Sequence, residues 1–167
     1  SFVCSVESAL TGHLVLSTLH TNDSAGAISR LSDMGVEKYL TSSALLGVVA
    51  QRLMRVLCPI CKRPYKITRD ELQTTIPDFP FDDEKEIELY RAHGCLSCNN
   101  TGYKGRIGIY EFLSVDENMQ RLILSGASST EIRRYAVESG MITMWHDGLI
   151  KVKQGESTLE EMLRVIL

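Results

Sequence analysis

Leu10-Thr-Gly-His-Leu-Val-Leu-Ser-Thr-Leu-His-Thr-Asn22 is the stretch whose reading decides the fold class. Within it, His13 to Leu19 is a short, almost wholly apolar run, the pattern of a buried strand. Asn22 or Asp23 can cap the helix that follows. Its apolar positions Ala27, Ile28, Leu31 and Met34 recur at helical spacing, and Gly35 is the natural stop. A strand feeding a helix is the α/β unit, so an α/β fold is expected. Upstream, Val3 to Leu10 is compatible with the end of another helix.

Downstream, a second helix is predicted over Glu37 to Ala50, with Leu40, Ala44, Leu45 and Val48 on one side, and Leu53 to Leu57 can return as a strand. There the pattern breaks. Lys66 to His93 contains Pro77 and Pro80 and carries four basic against eight acidic residues, which reads as an insertion with an acidic helix from about Asp82 to Ala92. Gly102, Gly105 and Gly108 mark turns, and Arg106 to Leu113 resumes as a strand. The last third is helical. Asp116 and Ser128 are N-caps, Glu131 completes a capping box with Ser128, and Gly126 and Gly140 are stops. A further helix is predicted over Met144 to Lys153, and Ser157-Thr-Leu-Glu160 opens the last one as another capping box.

A chain of 167 residues can bury about two thirds of the surface that its unfolded form exposes, enough for a domain with a satellite. Hydrophobic residues at 44% and charged residues at 23% exclude a disordered chain. No run approaches the roughly 18 apolar residues of a membrane span. The longest, Ala44 to Ala50, is interrupted by Gly47 and closed by Gln51 and Arg52. Ser1 to Leu10 has neither the basic leader nor the length of a signal peptide, so a truncated or processed chain is expected.

Five cysteines without a secretion signal point to a reducing, cytoplasmic compartment and a metal. Four of them form two pairs, Cys58-Pro-Ile-Cys61 and Cys95-Leu-Ser-Cys98, 33 residues apart. Each pair spans a tight turn that lets two sulfurs converge on one ion, and two such turns complete the tetrahedron that zinc prefers. The expectation is one structural Zn2+ at the base of the insertion. Unligated thiols or two disulfides are the competing arrangements. Lys62, Arg63, Lys104 and Arg106 are placed to offset the negative charge of four thiolates on one zinc. Cys4, outside the pattern, is expected to be a buried apolar residue.

His13 and His20 sit at the two ends of the predicted strand. Seven residues apart, they face opposite sides and are poorly placed to share a metal. His20 lies at the carboxyl end, the edge at which open α/β sheets bind ligands. A structural histidine is the alternative there.

At these residues the chain resembles a known family. Leu10 to Asn22 resembles the histidine box of the type II secretion and type IV pilus-assembly ATPases. Gln51-Arg-Leu-Met-Arg-Val-Leu-Cys58 resembles the segment entering that family's zinc subdomain, and Gly102-Tyr-Lys-Gly-Arg-Ile-Gly-Ile-Tyr-Glu111 the segment leaving it. Ser139-Gly-Met-Ile-Thr-Met and Asp147-Gly-Leu-Ile-Lys151 look like its C-terminal helical region. The four cysteines place the resemblance in the secretion and pilus-extension branch. It implies the C-terminal part of a RecA-like ATPase core over residues 1–57, a zinc-binding subdomain with the acidic insertion over 58–104, and a return strand with a helical C-terminal subdomain over 105–167. It further implies a cytoplasmic homohexamer at the inner membrane, working with a membrane platform protein and cytoplasmic assembly proteins. His20 then faces the γ-phosphate side of bound ATP, with His13 a second catalytic candidate. Thr18, Thr21 and Asn22 are candidate nucleotide contacts, against the alternative of a strand end capped by polar side chains.

The sequence holds no Gly-x-x-x-x-Gly-Lys-Ser/Thr loop to cradle phosphates, and no acidic segment ahead of the histidine box to position Mg2+. ATP and Mg2+ are therefore expected only in a longer protein of which this is the C-terminal part. Arg52 and Arg55 are expected to pair with carboxylates at the surface, and Arg106 and Glu111 to pair with each other or brace the zinc subdomain. The competing function is a zinc-dependent protein- or nucleic-acid-binding module. A formal charge of −3, more negative still with a tetrathiolate zinc site, argues against nucleic acid.

Overall fold

Asp23 sets the first well-packed helix, as its spacing predicts: its carboxylate accepts the Gly26 amide at 2.8 Å and opens α2 (Ser24–Asp33). The computed structural model describes residues 2–80 and 85–167, with side chains from residue 4 onward. The elements around α2 are α1 (Phe2–Leu10), α3 (Lys38–Ala44), β1 (Gly47–Leu57), β2 (Arg63–Thr68), α4 (Arg69–Thr75), β3 (Glu86–Arg91), β4 (Tyr103–Ser114), α5 (Glu117–Ser125), α6 (Ser129–Glu138), α7 (Met144–Lys153) and α8 (Leu159–Ile166). β1 pairs with β4 in one two-stranded sheet and β2 with β3 in another. The fold is mixed α/β. No helix among the described residues is long and apolar enough to cross a membrane.

The chain divides into two units, Ser1–Ala50 with Glu111–Thr143, and Gln51–Tyr110 with Met144–Leu167. In the first, Ala25 and Ile28 of α2 pack with Leu113 of β4, Met119 and Ile123 of α5, and Ile132 and Ala136 of α6. The caps read from the sequence hold here. Asp116 accepts the Met119 amide, Ser128 and Glu131 form a full capping box, and Gly126 and Gly140 take positive φ at the ends of α5 and α6.

The second unit buries Met54, Leu57, Leu72, Ile87, Leu89, Ile109, Leu149, Val152 and Met162. Its β2 and β3 run antiparallel with Arg63 opposite Arg91 and Thr68 opposite Glu86. Glu161 of α8 is wholly buried and ties this unit together. One oxygen accepts the Arg55 amide at 3.0 Å and Arg164 Nη2 at 2.6 Å, the other Arg55 Nη2 at 2.6 Å and Arg164 Nε at 2.9 Å. The Arg55 guanidinium also lies over the Tyr103 ring, 4.2 Å from its centroid. Arg55 thus pairs with a carboxylate, but a buried one and not one at the surface as expected.

Several expectations are corrected. Residues 13–21 form neither strand nor helix, and Leu14 and Leu16 are 78% and 88% exposed. An apolar run becomes a strand only beside a hydrogen-bonding neighbour, and no described segment supplies one. The second helix stops at Ala44, because Leu45 turns extended and the β-branched Val48 and Val49 enter β1. The predicted acidic helix over 82–92 is replaced from Glu86 by β3, its earlier residues 82–84 lying outside those described. Ile87 and Leu89 are buried between exposed Glu86 and Glu88, a period of two that fits a strand. The insertion instead contains α4, opened by a Thr68–Glu71 capping box. The cap of α8 is Thr158 and not Ser157, whose hydroxyl donates to the Arg55 carbonyl. Cys4 is exposed.

Burial pushes the Glu161 carboxyl up, but the bonds from Arg164 and Arg55 outweigh it and hold it at about 2, below the usual 4.5. Its contribution to stability is therefore complete above pH 4.5 and lost as the pH falls through about 2. E161Q is expected to destabilise the chain by about 3 kcal/mol near neutral pH. In urea titrations the gap between E161Q and the parent should narrow as the pH drops from about 5 to about 2. A gap constant across that range would contradict the assignment.

Candidate metal centre and histidine segment

Cys58 follows β1 directly, and the amides of Cys61 and Lys62 fold back to donate to its carbonyl at 3.3 and 3.0 Å. The second cysteine turn repeats the first. Cys98 and Asn100 donate to the Cys95 carbonyl at 3.2 and 2.9 Å, with Leu96–Cys98 in one turn of 3₁₀ helix. Asn99 and Asn100 then take left-handed φ values of 50° and 59°, a region asparagine enters more readily than most residues. The Cys58 amide donates to the Gly102 carbonyl at 2.9 Å, which joins the two turns. Gly102 has a φ of +76°, and a Cβ there would stand 2.5 Å from that of Ala92, so only glycine lets the chain pass.

The four sulfurs lie within 4.8 Å of one another. Cys58 and Cys95 are 3.9 Å apart, Cys61 and Cys98 3.8 Å, and Cys95 and Cys98 3.8 Å. A zinc–sulfur bond of about 2.3 Å gives a tetrahedron with edges of about 3.8 Å, so the cluster can hold Zn2+. Amides reinforce the sulfurs: Gly94 donates to Cys61 at 3.3 Å, and Cys95 and Gly102 donate to Cys98 at 3.2 and 3.3 Å. Burial opposes ionisation of Cys98, yet these amides bring its thiol down to about 6. Burial pushes Cys61 up to about 11 against the single amide of Gly94. With zinc bound by all four sulfurs no position would remain open, the mark of a structural site. Of the flanking cations, Lys104 bonds Ser97 inside the second turn at 3.1 Å, whereas Lys62 reaches the Gly155 carbonyl and the Tyr90 ring.

The histidine segment belongs to the first unit. His13 is exposed, its Nδ1 3.1 Å from the Thr11 hydroxyl and 3.3 Å from the Ser8 carbonyl. Thr18, His20 and Asn22 are exposed, and the Thr21 hydroxyl donates to the Asp23 carbonyl at 3.1 Å. The four cysteines converge on one point; these five residues line one irregular segment.

Glu111 has a place the sequence reading missed. Instead of meeting Arg106, its Oε1 accepts the Ser24 amide at 2.9 Å and the Ser24 hydroxyl at 2.6 Å. The signal was available: along β4, Glu111 falls on the same face as Ile109 and Leu113, both wholly buried.

An α/β chain with a closed four-cysteine centre is the class that this geometry defines. The family model described as "Type II/IV secretion system protein" matches residues 2–164, and the chain belongs to that family. It is 48% identical over 162 residues to the "Type II secretion system ATPase E" of Vibrio cholerae, covering 96% of this chain and 31% of that protein. It is 50% identical over 160 residues to the "Type II secretion system protein E" of Pseudomonas aeruginosa, covering 96% and 31%. It is 48% identical over 160 residues to the "Type IV pilus assembly ATPase PilB" of Thermus thermophilus, covering 94% and 17%. The chain therefore spans less than a third of the length of these relatives.

Purified under reducing conditions, the chain is expected to carry one zinc, and exchange for Co2+ should give the thiolate charge-transfer and visible bands of a tetrahedral site. Cys98→Ser should abolish both, and chelation should unfold the region around the site, where the metal supplies on the order of 10 kcal/mol. Elemental analysis without zinc, or Co2+ spectra of an octahedral ion, would remove the assignment.

Proposed function

We propose that this chain is the C-terminal part of a hexameric ATPase that powers type II secretion or type IV pilus assembly. The observation that carries this reading is the family match over residues 2–164, with relatives named as secretion and pilus-assembly ATPases at 48% identity. In this reading residues 1–57 complete a RecA-like core, residues 58–104 form a subdomain stapled by structural zinc, and residues 105–167 return to a helical C-terminal subdomain. His20 faces the γ-phosphate of ATP bound by other segments of the longer protein and couples its presence to movement of α2. Thr18, Thr21 and Asn22 supply hydroxyl and amide contacts, and His13 stands further from the chemistry. The motor works in the cytoplasm against an inner-membrane platform protein. ATP and Mg2+ need groups that this chain lacks, so by itself it is inactive.

A second reading, a zinc-dependent module that binds an acidic protein or nucleic acid, draws support from the distribution of charge. Residues 51–69 hold six Lys and Arg and residues 89–110 three more, half of the chain's 18, with no Asp or Glu in either stretch. Both stretches lie in the second unit and flank the cysteines.

In the full-length protein, His20→Ala is expected to lower ATP turnover about tenfold or more while nucleotide affinity changes less than about threefold. Unchanged turnover would remove His20 from the mechanism. For the isolated chain, a DNA or RNA mobility shift that weakens steeply between about 50 and 200 mM salt would favour the second reading. Its absence would leave the motor.

A further inference from the structure

Glu111 is 2% exposed and lies outside the histidine segment and the cysteine motif. Burying a carboxylate is costly unless donors are supplied to it, and here Ser24 supplies two, from its amide and its hydroxyl. Ser24 is the first residue of α2, and His20 precedes it by four residues. Three further bonds converge on this junction. Asp23 accepts the Gly26 amide at 2.8 Å and Arg133 Nη1 of α6 at 3.1 Å, and the Thr21 hydroxyl reaches the Asp23 carbonyl. Residues 13–21 themselves have no regular structure, so the direction in which they leave α2 is set at this end of the helix. A negative group at a helix N-terminus is also favoured by the helix dipole, and bonds to a charged acceptor are the stronger kind.

We propose that Glu111 is a positioning residue for His20: by holding Ser24 through two bonds it fixes where His20 stands ahead of α2. Glu111 touches no nucleotide and acts through the backbone of α2. The proposal rests on the reading of His20 given above and adds the residue that aims it. The two bonds from Ser24 need an acceptor at the position of Oε1, which glutamine can supply and alanine cannot.

The test is a double-mutant cycle in the full-length protein. Glu111→Ala is expected to lower kcat for ATP about tenfold with KM within about twofold, Glu111→Gln to recover most of the loss, and Ser24→Ala to fall between. In a His20→Ala background, Glu111→Ala should add no further loss, because its effect passes through His20. Hydrogen exchange at Ser24 to Gly26 should quicken in Glu111→Ala and return in Glu111→Gln. A core variant, Ile132→Val, serves as the control for general loosening and should leave kcat unchanged. If Glu111→Ala does not fold, Ser24→Ala and Glu111→Gln carry the same cycle. Losses that multiply in the His20→Ala background, or a Glu111→Ala enzyme with the parent's kcat, overturn the proposal and leave the reading of His20 intact. A His20→Ala enzyme with the parent's turnover defeats that reading and this proposal together.

Discussion

Four cysteine sulfurs within 4.8 Å of one another impose an electrostatic condition on everything around them. Packed in a largely buried pocket, they cannot all ionise without a cation, and four neutral thiols would leave the amides of Gly94, Cys95 and Gly102 aimed at weak acceptors. A divalent ion with soft-ligand affinity resolves both demands. The chain between the two turns holds β2, α4 and β3, with a small apolar centre at Leu72, Ile76, Phe79, Ile87 and Leu89. Both of its ends are fixed at cysteines. A core of that size is marginal alone, and a metal closing its loop at the base would remove much of the entropy that opposes it.

Two buried carboxylates show a related economy of design in the two units. Glu161 accepts from two guanidinium groups and an amide, a network that locks α8 onto the strand bearing Arg55. Glu111 accepts two bonds from Ser24 at a helix start. Glu161 is embedded among cations, and the two bonds from Ser24 to Glu111 come from neutral donors. Removing Glu161 leaves two like charges beside each other, and removing Glu111 leaves the Ser24 amide and hydroxyl without that acceptor.

How much was legible in the sequence follows from the range over which each signal acts. The caps at Asp23, Asp116 and Ser128 and the bounds of α7 are local chemistry, and they were read correctly. The cysteine pairs were legible because their spacing within each turn is itself local, and only their meeting across 33 residues needed the metal argument. The run from His13 to Leu19 misled, since its strand character depends on a neighbour that no adjacent residue specifies. Glu86 to Arg91 misled in the other direction: its acidic composition suggested a helix, while its alternation of Ile87 and Leu89 with charged residues carried the strand. Glu111 and Glu161 find partners 87 and 106 residues away, and nothing near them in the chain announces those partners.

Each of the two units is assembled from separated stretches: the chain leaves the first after Ala50, returns to it at Glu111, and leaves again after Thr143. Synthesis from the N-terminus therefore cannot finish the first unit until α6 has emerged, nor the second until α8 has. The cysteine turns are different. All four ligands and the closing Gly102 are available once residue 102 is out, before Glu111, α5, α6 or Glu161 exists. Metal capture can thus join the end of β1 to the turn ahead of β4 while the helices that complete both units are still being made.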